Sequence, residues 1–317
     1  MNAAQARATI VVSIPDAAKI EWWIAQLAPL LPEWTLRPVD APGDPKAVHY
    51  AVVWRPADGT FTLFSNLKAI VSLGAGIDHV LADRELPPGV PIIRTVGTDL
   101  TQRMREYVAL HVLRHHRGMP MIAANQRQQR WAQQVVPPAT RRRVGVMGLG
   151  NLGGAAARTL AALGFETLGW ARTQRAIEGV VTYAGEAEFA AFLQRCEILV
   201  CLLPLTPATE NLLDAALFAR LPRGASLINA GRGPHLVEDD LLAALASGQL
   251  SHATLDVFRQ EPLPEAHPFW RHPQITVTPH VASLIDPESG SRIVAANIRE
   301  FEAHGEVADL ADAARGY

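Results

Sequence analysis

The run Arg143-Val144-Gly145-Val146-Met147 passes without a break into Gly148-Leu149-Gly150-Asn151-Leu152-Gly153, and Gly154-Ala155-Ala156-Ala157 follow. A short apolar run, three glycines at fixed offsets and then small helix formers read as strand, tight turn and helix. Each glycine has a separate physical task. Gly148 permits the turn, Gly150 lets backbone approach a pyrophosphate, and Gly153 lets the helix close onto the strand. The helix N-terminus then presents N–H groups and the positive end of its dipole to phosphate. On its own a GxGxxG only punctuates a turn; between a strand and a helix it specifies a dinucleotide-binding α/β unit.

The next strand signal ends Leu168-Gly169-Trp170-Ala171-Arg172-Thr173. An NAD-preferring site carries an Asp or Glu there, roughly 20 residues past the glycines, to bond the ribose 2'-hydroxyl. Here Arg172 and Thr173 stand in its place, with Arg175 close behind. A guanidinium offers phosphate a bidentate, charge-assisted partner, so the expected coenzyme is NADP(H), with NAD(H) second.

At 317 residues the chain exceeds one ordinary core, and two domains are expected. Strands are expected at 9–14, 48–54, 69–73, 143–147, 167–170, 198–203, 226–229 and 275–278. Helices are expected at 151–163, 238–246 and 287–304. Alternation of this kind gives βαβ units and parallel sheets, hence the α/β class. No repeat, low-complexity tract or Gly/Ser linker separates the halves, so helical stretches at about 99–118 and from 287 onward serve as connections. The expected division is 1–98 plus 287–317 for a discontinuous domain and 99–286 for a dinucleotide-binding one.

A net charge of −2 without long blocks of one sign gives no electrostatic case for nucleic acid or anionic membrane. Arg141-Arg142-Arg143 reads as a solvated strand entrance. No apolar stretch reaches the ~18 residues of a membrane span and no signal-peptide pattern opens the chain, so a cytoplasmic protein is expected. Cys196 and Cys201 flank what reads as a buried strand and lack metal-site partners; both are expected to be buried hydrophobes, and no metal is expected.

Three further motifs follow in order: Asn229-Ala230-Gly231-Arg232-Gly233, then Asp256 to Pro264 containing Glu261-Pro262, then Thr278-Pro279-His280-Val281-Ala282. With the fingerprint, and with Leu73-Gly74-Ala75-Gly76-Ile77-Asp78, they make the chain resemble the D-isomer-specific 2-hydroxyacid dehydrogenases, most of all the branch that reduces glyoxylate and hydroxypyruvate. The resemblance is strongest over 143–283. It implies two Rossmann-like doubly wound parallel-sheet domains with the active-site cleft between them, a small 2-oxo or 2-hydroxy acid substrate, and a homodimer.

Carried over residue by residue, the resemblance makes Arg232, Glu261 and His280 catalytic. The chemistry fits these types. A carbonyl oxygen that gains negative charge as hydride reaches its carbon needs a proton, and imidazole titrates near neutral pH. Glu261 would orient the ring and favour its protonated form, so its loss should lower the pH at which reduction fails. Arg232 would hold the substrate carboxylate and polarise the carbonyl. Backbone N–H groups at Ala75 and Gly76 would grip the same carboxylate, and Trp54, Met104, Arg105 and Trp131 fall near the family's pocket, the last as a residue reaching in from the partner subunit. Arg103 and Arg105, beside Glu106 and Tyr107, read equally as helix surface. The expected coenzyme set is Gly148, Gly150, Asn151, Leu152, Gly153, Arg172, Thr173, Leu203, Pro204, Ala230 and Asp256. Asp256 resembles the family's carboxamide contact, and it is also a common turn former. Glu261 reads alternatively as a partner for Arg259.

Two other readings stand beside this one: reduction of a bulkier 2-oxo acid on the same machinery, and a non-catalytic NADP(H)-sensing binding protein. Formate dehydrogenase relatives are disfavoured, because they replace the histidine's acid partner with an amide.

Overall fold

The computed structural model describes residues 7–313 and Gly316. The chain divides into two compact units, one reaching Asp99 and resuming at Ile285, the other running from Leu100 to Leu284.

The first unit carries β1 (Thr9–Ser13), α1 (Ala17–Leu27), β2 (Thr35–Pro38), β3 (Val48–Val53), β4 (Ala69–Ser72), α2 (Asp78–Leu81) and β5 (Ile92–Arg94), joined by the C-terminal helix Pro287–His304. Its five strands are parallel in the order β2-β1-β3-β4-β5. The period of two along each strand sends Ile10, Val12, Tyr50, Val52, Val71 and Ile93 to one face, with Leu27 and with Val294 and Ile298 of the C-terminal helix. Val11, Ala51, Val53, Ile70 and Ile92 go to the other, with Ile77 and Val80. Both faces are covered, which is why these strands read as continuous apolar runs rather than alternating ones.

The second unit contains α3 (Thr98–His116, its first residues at the boundary), α4 (Met119–Arg127), β6 (Arg143–Met147), α5 (Asn151–Ala162), β7 (Glu166–Ala171), β8 (Val180–Ala184), α6 (Gly185–Leu193), β9 (Ile198–Cys201), α7 (Ala215–Arg220), β10 (Ala225–Asn229), α8 (Glu238–Ala246), β11 (Leu250–Leu255) and β12 (Ile275–Val277). The seven parallel strands take the order β12-β11-β10-β9-β6-β7-β8. Counting from β6, this is the 3-2-1-4-5-6 order of a dinucleotide-binding sheet with one strand added, and the order reverses between β6 and β9. Met147, Leu168, Leu199, Leu227 and Leu255 pack under α6, α7 and α8. Val144, Val146, Val200 and Ile228 pack under α3 and α5.

Cys196 and Cys201 are both buried, Cys196 just before β9 with its Sγ donating to the Phe192 carbonyl and Cys201 at the end of the strand, whereas one local expectation needs correction. Arg142 and Arg143 are not a solvated entrance: both close on Glu197, at 3.1 and 3.4 Å, and only Arg141 is exposed.

The strand β11 escaped the sequence reading because Ser251, His252 and Thr254 interrupt its apolar pattern. Its polar groups are met by α3, where His115 Nε2 lies 2.9 Å from the buried Thr254 hydroxyl. Burial, with Arg114 alongside, pushes His111 down to about 4; burial, with His252 next and then His111 and Arg114, pushes His115 down to about 3. An unfolded histidine takes up its proton near 6.5, so below that pH the unfolded chain binds more protons than the folded one. Stability that is whole above 6.5 is therefore lost as pH falls toward 4 and 3, by about 1.4 kcal/mol per pH unit for each histidine. The melting temperature is expected to drop steeply below pH 6.5 and His115→Gln to flatten that drop; a melting temperature constant down to pH 4.5 would contradict it.

Candidate active site

In the second unit the fingerprint turn, Arg172, Arg232, Asp256, Glu261 and His280 all follow the carboxyl ends of parallel strands, the edge at which open α/β sheets bind ligands. The fingerprint turn follows β6. Gly148 sits at φ 93, and a Cβ there would meet the Leu202 carbonyl oxygen at 2.6 Å. A Cβ on Gly153 would stand 1.8 Å from the Gly148 oxygen, whereas one on Gly150 would meet nothing within 4 Å. Of the three fingerprint glycines, Gly150 alone keeps open space, at the place where backbone is expected to approach a pyrophosphate. Gly150 is also the N-cap of the 12-residue α5, and no side chain caps that helix. Asn151 is exposed, Leu152 half-buried, and Arg172 and Thr173 are exposed just past β7. Leu203, Pro204 and Ala230 lie just past β9 and β10.

The turn after β10 is tightly fixed. Asn229 is fully buried, accepts from Gly231 N–H at 3.1 Å and donates to the Arg232 carbonyl at 3.1 Å. A Cβ on Gly233 would lie 1.9 Å from the Phe258 carbonyl carbon, so this glycine lets the Arg232 turn pack on the backbone after β11. Arg259 donates to the carbonyls of Leu236 and Pro234 and to the Asn211 side chain, which bolts the same turn from outside.

Glu261 has other partners. One carboxylate oxygen accepts from Phe258 N–H at 2.9 Å, and the other lies 2.7 Å from His280 Nδ1. His280 occupies φ 54, a left-handed conformation uncommon outside glycine and found where structure holds a residue for use. Asp256 holds it. The Asp256 carbonyl accepts from His280 N–H at 2.9 Å, while its carboxylate, 1% exposed, accepts from Thr278 Oγ1 at 2.6 Å and from Val281 and Ala282 N–H at 2.9 Å each. Adjacent strand ends thus carry the set: Arg232 after β10, Glu261 after β11 and His280 after β12.

In the first unit the Gly74-Ala75-Gly76 loop follows β4. A Cβ on Gly74 would touch the Trp54 ring at 3.0 Å, so Trp54 lies against this loop. Ser72 Oγ donates to the Gly76 carbonyl at 2.9 Å and lies 2.9 Å from His79 Nε2, while Arg55 N–H donates to His79 Nδ1. Of the other residues near the family's pocket, Met104 is buried in the core beneath β6, Arg105 bonds Thr159 and Gln102 on the surface of α3, and Trp131 is 92% exposed in the second unit.

Residues 109–282 match the family described as D-isomer specific 2-hydroxyacid dehydrogenase, NAD binding domain. The chain is 43% identical over 302 residues to glyoxylate/hydroxypyruvate reductase A of Serratia proteamaculans, covering 94% of this chain and 96% of that protein. This chain belongs to the D-isomer-specific 2-hydroxyacid dehydrogenase family. Two solved structures resemble this dehydrogenase at a TM-score of 0.91. One is a D-isomer specific 2-hydroxyacid dehydrogenase from Xanthobacter autotrophicus in complex with NADPH and MES, 42% identical, covering 97% of this chain and 99% of that one. The other is an NADPH-dependent glyoxylate/hydroxypyruvate reductase from Sinorhizobium meliloti with NADP and sulfate, 40% identical, covering 98% and 100%.

Four supporting residues of the dehydrogenase carried no assigned role in its sequence: Asn229, His235, Thr278 and Tyr107, whose hydroxyl lies 2.8 Å from Thr278 Oγ1. Asn229 alone left a signal, since an Asn two residues before a glycine is a turn former that bonds its own downstream backbone. Among the described residues no helix is long and apolar enough to cross a membrane.

Proposed function

We propose that this dehydrogenase reduces glyoxylate to glycolate and hydroxypyruvate to glycerate with NADPH, His280 acting as general acid. The observation that carries the reading is the Glu261–His280 pair, 2.7 Å apart, on a strand end adjoining the Arg232 turn in the sheet that bears the fingerprint.

The open Gly150 face and the uncapped start of α5 fit a pyrophosphate, and Arg172 with Thr173 would bond a 2'-phosphate. NADPH, when bound, supplies the hydride. Arg232 receives the substrate carboxylate and polarises the carbonyl; Ala75 and Gly76 N–H groups are our second assignment for that carboxylate. Glu261 occupies Nδ1 of His280, so the proton leaves from Nε2 to the carbonyl oxygen as its carbon accepts hydride, and the ring ends neutral. Asp256 keeps the His280 turn in place; its contact with the nicotinamide carboxamide rests on the resemblance alone.

The test is the loss of 340-nm absorbance with purified protein, comparing NADPH and NADH against glyoxylate, hydroxypyruvate, pyruvate and phenylpyruvate. Fast NADPH oxidation with the first two supports the reading. Turnover with phenylpyruvate alone replaces the substrate, and tight NADPH binding without turnover replaces the enzyme by a sensor. In the same assay Arg172→Ala should lower the NADPH-to-NADH efficiency ratio by about tenfold or more, the loss of one charge-assisted phosphate contact. An unchanged ratio would remove Arg172 from the coenzyme site.

We further assign the protein to the cytosol and to a homodimer. Leu110, Met119, Met121, Ile122, Trp131 and Val135 expose large apolar surface within one stretch of the second unit, and such patches mark interfaces. Light scattering should give twice the 34.4 kDa chain mass; a monomer at micromolar concentration would refute the dimer.

A further inference from the structure

We propose that His235 is a positioning residue for Arg232: a neutral imidazole, protonated at Nε2, that fixes the backbone of the carboxylate grip and ties it to the segment after β9. The proposal rests on the reading of Arg232 as that grip.

His235 is fully buried in the short turn Gly233–His235. Its Nδ1 accepts the N–H of Arg232 at 3.1 Å, and its Nε2 lies 3.2 Å from the Pro204 carbonyl oxygen. A carbonyl can only accept, and a ring nitrogen that accepts from a backbone N–H carries no proton of its own. The two bonds therefore fix the tautomer: hydrogen on Nε2, lone pair on Nδ1. A doubly protonated ring would set one N–H against another at Arg232.

The surroundings are built to hold this ring. A Cβ on Gly231 would lie 3.1 Å from both Cε1 and Nδ1 of His235, so the missing side chain of the Gly-Arg-Gly motif leaves the imidazole its place. Cys201 Sγ approaches Nδ1 at 3.8 Å, and burial pushes that thiol up to about 12, so it stays protonated and able to share the acceptor weakly. On the far side of Arg232, Asn229 holds the carbonyl. The Arg232 backbone is thus gripped at both polar groups, its N–H by His235 and its C=O by Asn229, which sets the direction in which the guanidinium leaves the turn. Through Pro204 the same ring joins this turn to the strand end between β10 and the fingerprint strand β6.

Asn and Gln divide the two duties of histidine. The amide of His235→Asn reaches the place of Nδ1 and keeps an acceptor for Arg232; that of His235→Gln reaches the place of Nε2 and keeps a donor for Pro204; His235→Leu keeps neither. With glyoxylate and NADPH, we expect His235→Leu and His235→Gln to lose about tenfold or more in kcat/KM, chiefly through KM, and His235→Asn to recover most of that loss. Melting temperature and the Kd for NADPH, from fluorescence, are measured on all three and should change little between Asn and Gln. Equal losses in Asn and Gln, no loss in Gln, or a KM loss matched by falling coenzyme affinity and melting temperature would overturn the proposal. Arg232→Ala is run in parallel: if it leaves KM intact, the grip reading falls and takes the proposal with it, whereas a loss there beside an unaffected His235→Gln removes His235 alone.

Discussion

Replacing His280 is expected to lower kcat for 2-oxo acid reduction by about 10²- to 10⁴-fold, the usual worth of a positioned general acid. His280→Asn is the cleaner substitution, because asparagine tolerates the left-handed φ of 54 at this position while alanine adds backbone strain. Both should bind NADPH as the parent does, since the four backbone and hydroxyl bonds that Asp256 makes to residues 278–282 do not involve the imidazole. Steady-state kinetics at neutral pH with saturating NADPH read this directly, and a kcat within tenfold of the parent would remove the acid role. Glu261→Gln should act through the same ring. It keeps an acceptor toward Nδ1 but removes the carboxylate charge 2.7 Å from that nitrogen, so kcat at neutral pH should fall with KM little changed. A kcat equal to the parent's would leave Glu261 a role in ring orientation alone.

Arg232→Ala should cost about 10²- to 10³-fold in kcat/KM, the loss seen when one charge-directed donor leaves a developing oxyanion or a bound carboxylate. Both KM and kcat should suffer, because the same guanidinium is asked to bind the carboxylate and to polarise the carbonyl. Arg232→Lys should restore charge without the planar fork and recover only part of the loss. A lysine variant equal to the parent would mean that a point charge suffices and that bidentate geometry plays no part. The fold should survive these changes: the turn is held by Asn229, Gly233 packing and Arg259, none of which uses the Arg232 guanidinium.

The sequence by itself determined the α/β class, the fingerprint turn and the order of the three motifs. Each was legible because it is local. Gly148, Gly150 and Gly153 act within one strand–turn–helix, and apolar strands buried on both faces announce themselves as runs such as Ile10 to Val12 or Val146 to Met147. Resemblance then joined Arg232, Glu261 and His280, which propensity and spacing alone leave separate. What is not local stayed hidden. Thr254 and His252 disguised β11 because the partner of Thr254, His115, lies 139 residues earlier on α3. Arg143 and Glu197 are 54 residues apart, so the run of arginines could not be seen as a pair of ion pairs. Asp256 read as a turn former or a cofactor contact, and only the pairing of β11 with β12 brought its carboxylate under the N–H groups of Val281 and Ala282. His235 was one of eleven histidines until the β9–β10 pairing set Pro204 above its Nε2. Sequence states which groups exist and how neighbours along the chain constrain one another; hydrogen bonds between strand ends depend on sheet order and register, which are fixed only when the whole core closes.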